Sequence, residues 1–245
     1  MSRSFIILLM VPFLLTTACK KEQMGDCLKS RGKTVERSRS IKGVRAIELH
    51  DHVELVIEKS ANEGVEVRAG KNLIPLIKTK MEEDTLVIRD ENTCDWVRSY
   101  EPVPKVTVRT KALTHLFNHS TADISCKGSI QGPRFHYAQW NGMGNVELTL
   151  HTDTCWLKAH TGSGDLRCHG SSDMAYLYSS GTAFLRLRDL ECQKAWATNK
   201  GSGNMYLNVQ GELKAFVHSL GSIYYHGKPT LTKAVREGEG KIEMK

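Results

Sequence analysis

From Ala122 onward the chain repeats one short phrase: a glycine-bearing turn, a polar residue, then an apolar-x-apolar pair. The phrases read Ala122-Asp123-Ile124, Gly142-Met143-Gly144-Asn145-Val146, Gly162-Ser163-Gly164-Asp165-Leu166 and Gly181-Thr182-Ala183-Phe184-Leu185. They continue as Gly201-Ser202-Gly203-Asn204-Met205, Gly221-Ser222-Ile223 and Gly238-Glu239-Gly240-Lys241-Ile242. The slot before each apolar residue falls at 123, 145, 165, 184, 204, 222 and 241, giving spacings of 22, 20, 19, 20, 18 and 19. A period of this length marks a unit that cannot hide its apolar face alone and must stack on its neighbours.

The pairs after the turns are Ile124/Cys126, Val146/Leu148, Leu166/Cys168, Leu185/Leu187, Met205/Leu207, Ile223/Tyr225 and Ile242/Met244. Positions i and i+2 of a strand share a face, so stacked units align these pairs into one apolar column. Twenty residues at ~3.3 Å each trace roughly 65 Å, too long for one hairpin arm and suited to a coil with two or three short sides. Corner glycines fit a backbone that needs positive φ or close approach between coils. Nothing in the chain sustains a 3.6-residue pattern with caps, so the fold class is all-β. The expectation is a right-handed parallel β-helix, or β-solenoid, with coils of about 20 residues. An antiparallel β meander is the alternative, because 20 residues also make a hairpin.

Upstream the pattern changes. Val53-Glu-Leu-Val-Ile57, Val65-Glu-Val67, Thr85-Leu-Val-Ile88 and Val106-Thr-Val108 read as strands. Leu73-Ile-Pro-Leu-Ile77, with Pro75, reads as a bend or one helical turn. Before Ile41 the chain is polar and charged. The organisation expected is a signal segment at 1–18, a polar tether at 19–40 and one β-solenoid at 41–245. Within the solenoid, 41–121 forms a strand-rich part and 122–245 the glycine-cornered repeats.

The first residues form a targeting signal. Arg3 supplies the charge, Phe5 to Leu15 the apolar run, and Thr16, Thr17 and Ala18 lead into Cys19. This order resembles a bacterial lipobox, with Thr16 standing where leucine is usual. The resemblance implies cleavage before Cys19 and acylation of it; several buried chains anchor stably, at ~0.8 kcal/mol per CH₂. Lys20 lacks the aspartate that retains lipoproteins in the inner membrane. The location expected is therefore an exported outer-membrane lipoprotein, facing the periplasm or the cell surface. No later stretch is long and apolar enough to span a bilayer.

Export places the cysteines in an oxidising compartment. Beyond Cys19 there are six: Cys27, Cys94, Cys126, Cys155, Cys168 and Cys192. Cys126 and Cys168 occupy apolar slots of the repeat and read as small buried hydrophobes. Cys27 and Cys94 lie outside the repeats and are the disulfide candidates. The charge changes the picture little. Net charge is +7 from 34 basic and 27 acidic side chains, but it is dispersed, so no nucleic-acid partner is expected.

Candidate chemistry is sparse. No catalytic residue, cofactor or metal site is expected: P-loop, H-E-x-x-H and G-x-S-x-G motifs are absent, as is any metal-ligand spacing. Asp165 with Arg167, and Arg186, Arg188, Asp189 and Glu191, read as a solvated charged face. His50-Asp51-His52 reads as an exposed polar loop. Asp123, Asn145, Asp165 and Asn204 share one repeat slot and read as turn-bonding side chains rather than a calcium column. Trp140, Trp156 and Trp196, with Tyr137, Tyr176, Tyr178 and Phe216, precede successive corners. Core filling is the first reading of them; a stacked platform for carbohydrate is the other. Trp96 and Tyr100 are candidates to cover the N-terminal end.

The ordered set of Ile41-x₅-Ile47-x-Leu49, Val53-x-Leu55-Val-Ile57, Val65-x-Val67, Asn72-Leu-Ile-Pro-Leu-Ile77 and Leu86-Val-Ile88, followed by Gly-x-Gly-Asp/Asn-apolar corners, resembles the head GIN domain family of auto-transporter adhesins. Asp26-Cys27-Leu28-Lys29 and Cys94 to Tyr100 are similar to its lipoprotein branch. The resemblance implies a β-helical, non-catalytic, surface-associated protein. The function expected is a lipid-anchored envelope protein with a binding or structural, adhesin-like role. Its partners would be the membrane through the anchor, a glycan or an envelope protein, and an oligomer through the open end. A polysaccharide-active enzyme on the same scaffold is the alternative.

Overall fold

The computed structural model describes residues 30–92 and 101–245. The signal segment, the first half of the tether with Cys19 and Cys27, and Cys94, Trp96 and Tyr100 therefore lie outside the described residues.

The described chain forms β1 (Thr34–Arg39), β2 (Ala46–Asp51), β3 (Glu54–Lys59), β4 (Gly64–Gly70), β5 (Ile77–Glu82), β6 (Thr85–Asp90), β7 (Lys105–Thr110), β8 (His115–Ser120) and β9 (Ile124–Lys127). There follow β10 (Ile130–Gln139), β11 (Val146–Ala159), β12 (Leu166–Ser179), β13 (Leu185–Asn199), β14 (Met205–Val217), β15 (Ile223–His226), β16 (Thr230–Arg236) and β17 (Ile242–Met244). Ile74–Leu76 makes one 3₁₀ turn, with Pro75 in its first turn. No helix among the described residues is long and apolar enough to cross a membrane.

The long strands β11 to β14 each contain two short runs. In β11, inward Val146, Leu148, Leu150 and Thr152 alternate cleanly; then the phase slips and Cys155, Leu157 and Ala159 become the inward set. β12 slips in the same place. The slip is a corner, and it divides the coil between two walls. The first wall runs β7–β3–β9, then the first halves of β11 to β14, then β15 and β17. The second runs β6–β2–β8–β10, then the second halves, then β16. All these pairings are parallel, which rules out the meander.

Antiparallel strands close the N-terminal end. β4 pairs antiparallel with β7, β1 with β4, and β5 with β6. The stretch expected to be tether thus supplies a strand: Thr34 to Arg39 covers the edge of β4. Its charged side chains misled the reading, because an outer capping strand buries few of them.

The register fulfils the repeat. Leu55 pairs with Ile124, Ile124 with Val146, Val146 with Leu166, Leu166 with Leu185, Leu185 with Met205, Met205 with Ile223 and Ile223 with Ile242. From Leu55 to Ile223 each member is at most 1% exposed. Burial of such an aliphatic side chain is worth roughly 1.5–3 kcal/mol. The column ends where stacking ends: Met244 is 65% exposed. The core also encloses a polar corner. Asn118 donates to the Tyr137 hydroxyl (3.2 Å), which donates to Gln139 (2.7 Å), whose amide reaches the Gly164 carbonyl (3.2 Å).

Candidate functional site

Parallel in-register pairing sets equivalent side chains of successive coils side by side. On the exterior of the second wall this rule builds a column of rings. His115, His136, Trp156, Tyr176 and Trp196 occupy one register line. Their centroids are 4.6, 4.1, 5.3 and 6.1 Å apart, and the first three pairs are within 12° of parallel. The spacing follows the ~4.8 Å between strands. A parallel line near the corner stacks His50 on His119 at 4.7 Å and Trp140 on His160 at 3.9 Å. Beyond Trp196 the column passes to cations: the Lys214 ammonium lies 5.1 Å from the indole, and Lys233 lies 5.5 Å from Phe216.

This corrects the core-filling reading for these aromatics. Trp140 and Trp196 are 43% and 42% exposed, and Trp156 is half-buried. The inward positions of the second wall belong to their predecessors, Cys155, Ala175 and Ala195, which leave no room for large rings. Tyr137 does fill the core, together with Phe135 two residues before it. The fold also separates the three tryptophans. Trp156 and Trp196 share a column with Tyr176 between them, while Trp140 stands in the other line. The imidazoles give no hydrophobic signal in the sequence, so the pattern does not single them out as rings of the column. The alternation of small inward residues was the available signal.

The stacking limits what the face can do. Neighbouring rings cover each other's faces, so the outward strip consists of ring edges, with indole N–H and phenol O–H groups among them. Burial lowers the proton affinity of His136, helped by neighbouring His115. Burial and then His50 do the same for His119, and burial and then Lys158 for His160. These imidazoles favour the neutral form.

Topology assembles one possible metal-ligand trio that sequence spacing did not reveal. Glu48, His50 and His119 bring potential ligand atoms within 4.8 Å of one another. His50 Nε2 is 2.6 Å from Glu48 Oε1, and Arg89 approaches the same nitrogen at 3.2 Å. The guanidinium thus stands where a cation would bind, and the cluster reads as a completed ion-pair network.

The exterior of the first wall is charged. Asp165, considered with Arg167 from sequence, instead pairs with Arg186 of the next coil at 2.9 Å. The corner slot is a chain of coil-to-coil bonds rather than a set of self-contained turns. Asp123 Oδ1 accepts the Asn145 N–H at 2.7 Å, Asp165 Oδ1 that of Phe184 at 3.0 Å, and Asn204 Oδ1 that of Ser222 at 2.8 Å. These oxygens are already engaged, which weighs against calcium. Arg186 and Arg188 both reach the exterior, the former half-buried and the latter exposed. Asp189 and Glu191 are exposed nearby.

Cys126, Cys155, Cys168 and Cys192 are free thiols. Cys168 is buried as expected, whereas Cys126 is half-buried, with its sulfur accepting the Thr149 N–H at 3.0 Å. Burial raises all four proton affinities, Cys155 to about 11. That keeps them protonated and poor nucleophiles.

Comparison with known proteins places this geometry. A family model described as "Putative auto-transporter adhesin, head GIN domain" matches residues 44–229. A crystal structure of a putative adhesin from Bacteroides fragilis superposes with a TM-score of 0.81 at 20% identity, over 87% of this chain and 97% of that one. A putative adhesin from Parabacteroides distasonis gives 0.71 at 18% identity, over 87% and 98%. A putative lipid binding protein from the same organism gives 0.63 at 18% identity, over 88% and 98%. No curated protein matches the chain.

Proposed function

Because the chain belongs to the head GIN domain family of auto-transporter adhesins, we infer that it is an exported cell-envelope protein that binds or braces and performs no reaction. The observation that carries this is the exterior of the second wall, a broad strand face with two lines of rings standing along the solenoid axis. A regular strip of ring edges suits a long, repetitive ligand such as an envelope glycan. Burial favours the neutral form of His136 and His119. The lipobox at Cys19 would hold this face at a membrane, with the outer membrane the expected one.

The test is a glycan-array and envelope pull-down screen with the full chain in detergent, run against Trp140→Ala and Trp196→Ala. Ligand captured by the parent chain and lost in either variant supports recognition by this wall. Capture that ignores both variants removes the wall from the proposal. Mutual stacking of the rings favours a second reading, a purely architectural protein. In that case both variants lose stability and the screen captures nothing. The anchor has its own test: Cys19→Ala should move the protein from the membrane to the soluble fraction, and retention would refute the lipobox.

A further inference from the structure

We propose that the first wall carries a second recognition site, for a sugar bearing a carboxylate or sulfate, centred on Arg167, Arg186 and Arg188. It lies on the other wall from the rings and does not depend on the role assigned to them.

Register brings the cations together. Arg167 of β12 pairs directly with Arg186 of β13, so two guanidiniums project from adjacent strands. Like charges so placed repel, which costs stability unless something neutralises them. Arg188, the next outward residue of β13 after Arg186, stands at an irregularity. Arg167 matches Arg186 but His169 matches Asp189, so β13 holds one residue more than β12. Against β14 the break is larger, because Leu187 matches Leu207 while Glu191 matches Asn208. Bulges of this kind re-aim side chains and gather at functional sites. Here Arg188 follows inward Leu187 by ordinary alternation, and the slip sets a second outward residue, Asp189, directly after it.

The result is an open cavity of about 580 Å³ lined by Arg167, Arg186, Arg188, Asp189, Tyr206 and Lys245. That is within the usual range of small-ligand pockets, about 300–1,000 Å³. The Arg188 and Arg186 guanidiniums lie 5.0 and 5.9 Å from the Tyr206 ring, within cation–π range. Asp165 neutralises Arg186 at 2.9 Å. Asp189 is turned toward His169 at 3.6 Å, and Glu147, the other register neighbour of Arg167, is held by His169 at 3.0 Å. Among the described residues neither Arg167 nor Arg188 has an ion-pair partner. Two guanidinium forks therefore remain for an oxyanion, the geometry in which arginine binds carboxylate and sulfate best. Asp189 and Tyr206, which also line the cavity, carry acceptor oxygens. A bare anion has no use for acceptors; a sugar, with its hydroxyl donors, does.

The experiment measures binding of a heparin oligosaccharide, a galacturonate oligosaccharide, a neutral dextran oligosaccharide and inorganic sulfate to the full chain in non-ionic detergent, at low and high salt. The expected result is binding of one or both acidic oligosaccharides, none of dextran, and weakening with salt. The double variant Arg167→Ala with Arg188→Ala should lose about tenfold or more in affinity, since charge-assisted bonds are worth ~1.5–3 kcal/mol each. Lys42→Ala with Arg45→Ala removes equal charge at exposed positions elsewhere and should leave affinity within about twofold. Equal losses in both double variants, equal binding of dextran, or sulfate binding as tightly as the oligosaccharides would each overturn the proposal. If the alanine pair lowers the melting temperature, Arg188→Gln alone carries the same comparison.

Discussion

Substitution of Gly203 by alanine tests the stacking of coils most directly. A Cβ built there lies 2.0 Å from the Ala183 carbonyl oxygen of the preceding coil and 2.6 Å from the carbon of that carbonyl. The obstacle is backbone, so no side-chain rotation relieves it. Carbon and oxygen must separate by at least about 1 Å to reach a tolerable contact. Bonds joining these coils at the corner include Leu185 N–H to Asn204 (3.1 Å) and Ser202 N–H to Gly181 (3.0 Å). A displacement of that size breaks two of them, at ~1 kcal/mol each. Overpacking adds ~1–3 kcal/mol. The expected loss is therefore about 3–5 kcal/mol.

Two other glycines calibrate the result. Gly128 has open space around its hypothetical Cβ but φ of +83°, so alanine there should cost only ~1–2 kcal/mol of conformational strain. Gly64 has ordinary φ and a nearest contact of 3.8 Å, so alanine should be neutral or stabilise by up to ~1 kcal/mol through the unfolded chain. Urea unfolding ranks the three by midpoint at constant m. For a chain of this size each kcal/mol shifts the melting temperature by about 2–4 °C. If Gly203→Ala proves no worse than Gly128→Ala, close approach of coils is not what selects glycine at the corners.

Tyr137→Phe should cost ~1–3 kcal/mol by urea unfolding, because it strips a partner from buried Asn118 and Gln139; a neutral result would refute the polar-corner network. Stability should fall as pH drops below about 6.5, since unfolded imidazoles take up protons there while burial holds the native His119, His136 and His160 back. Above that window both states are neutral and the dependence vanishes; His136→Asn should flatten the slope, and an unchanged slope would refute the assignment. Thiol labelling mapped by mass spectrometry should reach Cys126 before Cys155, Cys168 and Cys192, which react only on unfolding; Cys168 keeping pace with Cys126 would remove it from the core.

The repeat was legible because glycine and the apolar pair recur at nearly fixed spacing, and stacking requires every coil to present the same face. Val146, Leu166, Leu185 and Met205 pair as that logic demands. The second half of each coil was less legible, because its inward residues are small: Cys155, Ala175 and Ala195 give a weak hydrophobic signal beside the large outward rings. Hence the rings were given to the core. The Asp165–Arg186 and His50–His119 contacts join residues from different coils. No periodicity within one coil reports them; they require the lateral register.

The two exteriors follow different logic. The ring columns obey the repeat: one residue per coil, each covering its neighbour's face, so stacking itself supplies part of the reason for their presence. The Arg167–Arg186–Arg188 cluster opposes it. Adjacent like charges weaken a sheet, and the register break beside Arg188 leaves ladder positions unpaired between Leu187 and Glu191. Of the three arginines, Arg186 alone forms an ion pair that joins coils among the described residues, with Asp165. A solenoid selected for stability alone would place a neutral residue at 167, between Glu147 and Arg186, and remove the bulge. Arg167→Gln, which removes one of the two adjacent positive charges without placing a carboxylate opposite Glu147, should therefore leave stability unchanged or raise it by up to ~1 kcal/mol, while weakening oxyanion binding. If that variant were instead less stable, the arginines would have a structural role and the case for a binding site would fail.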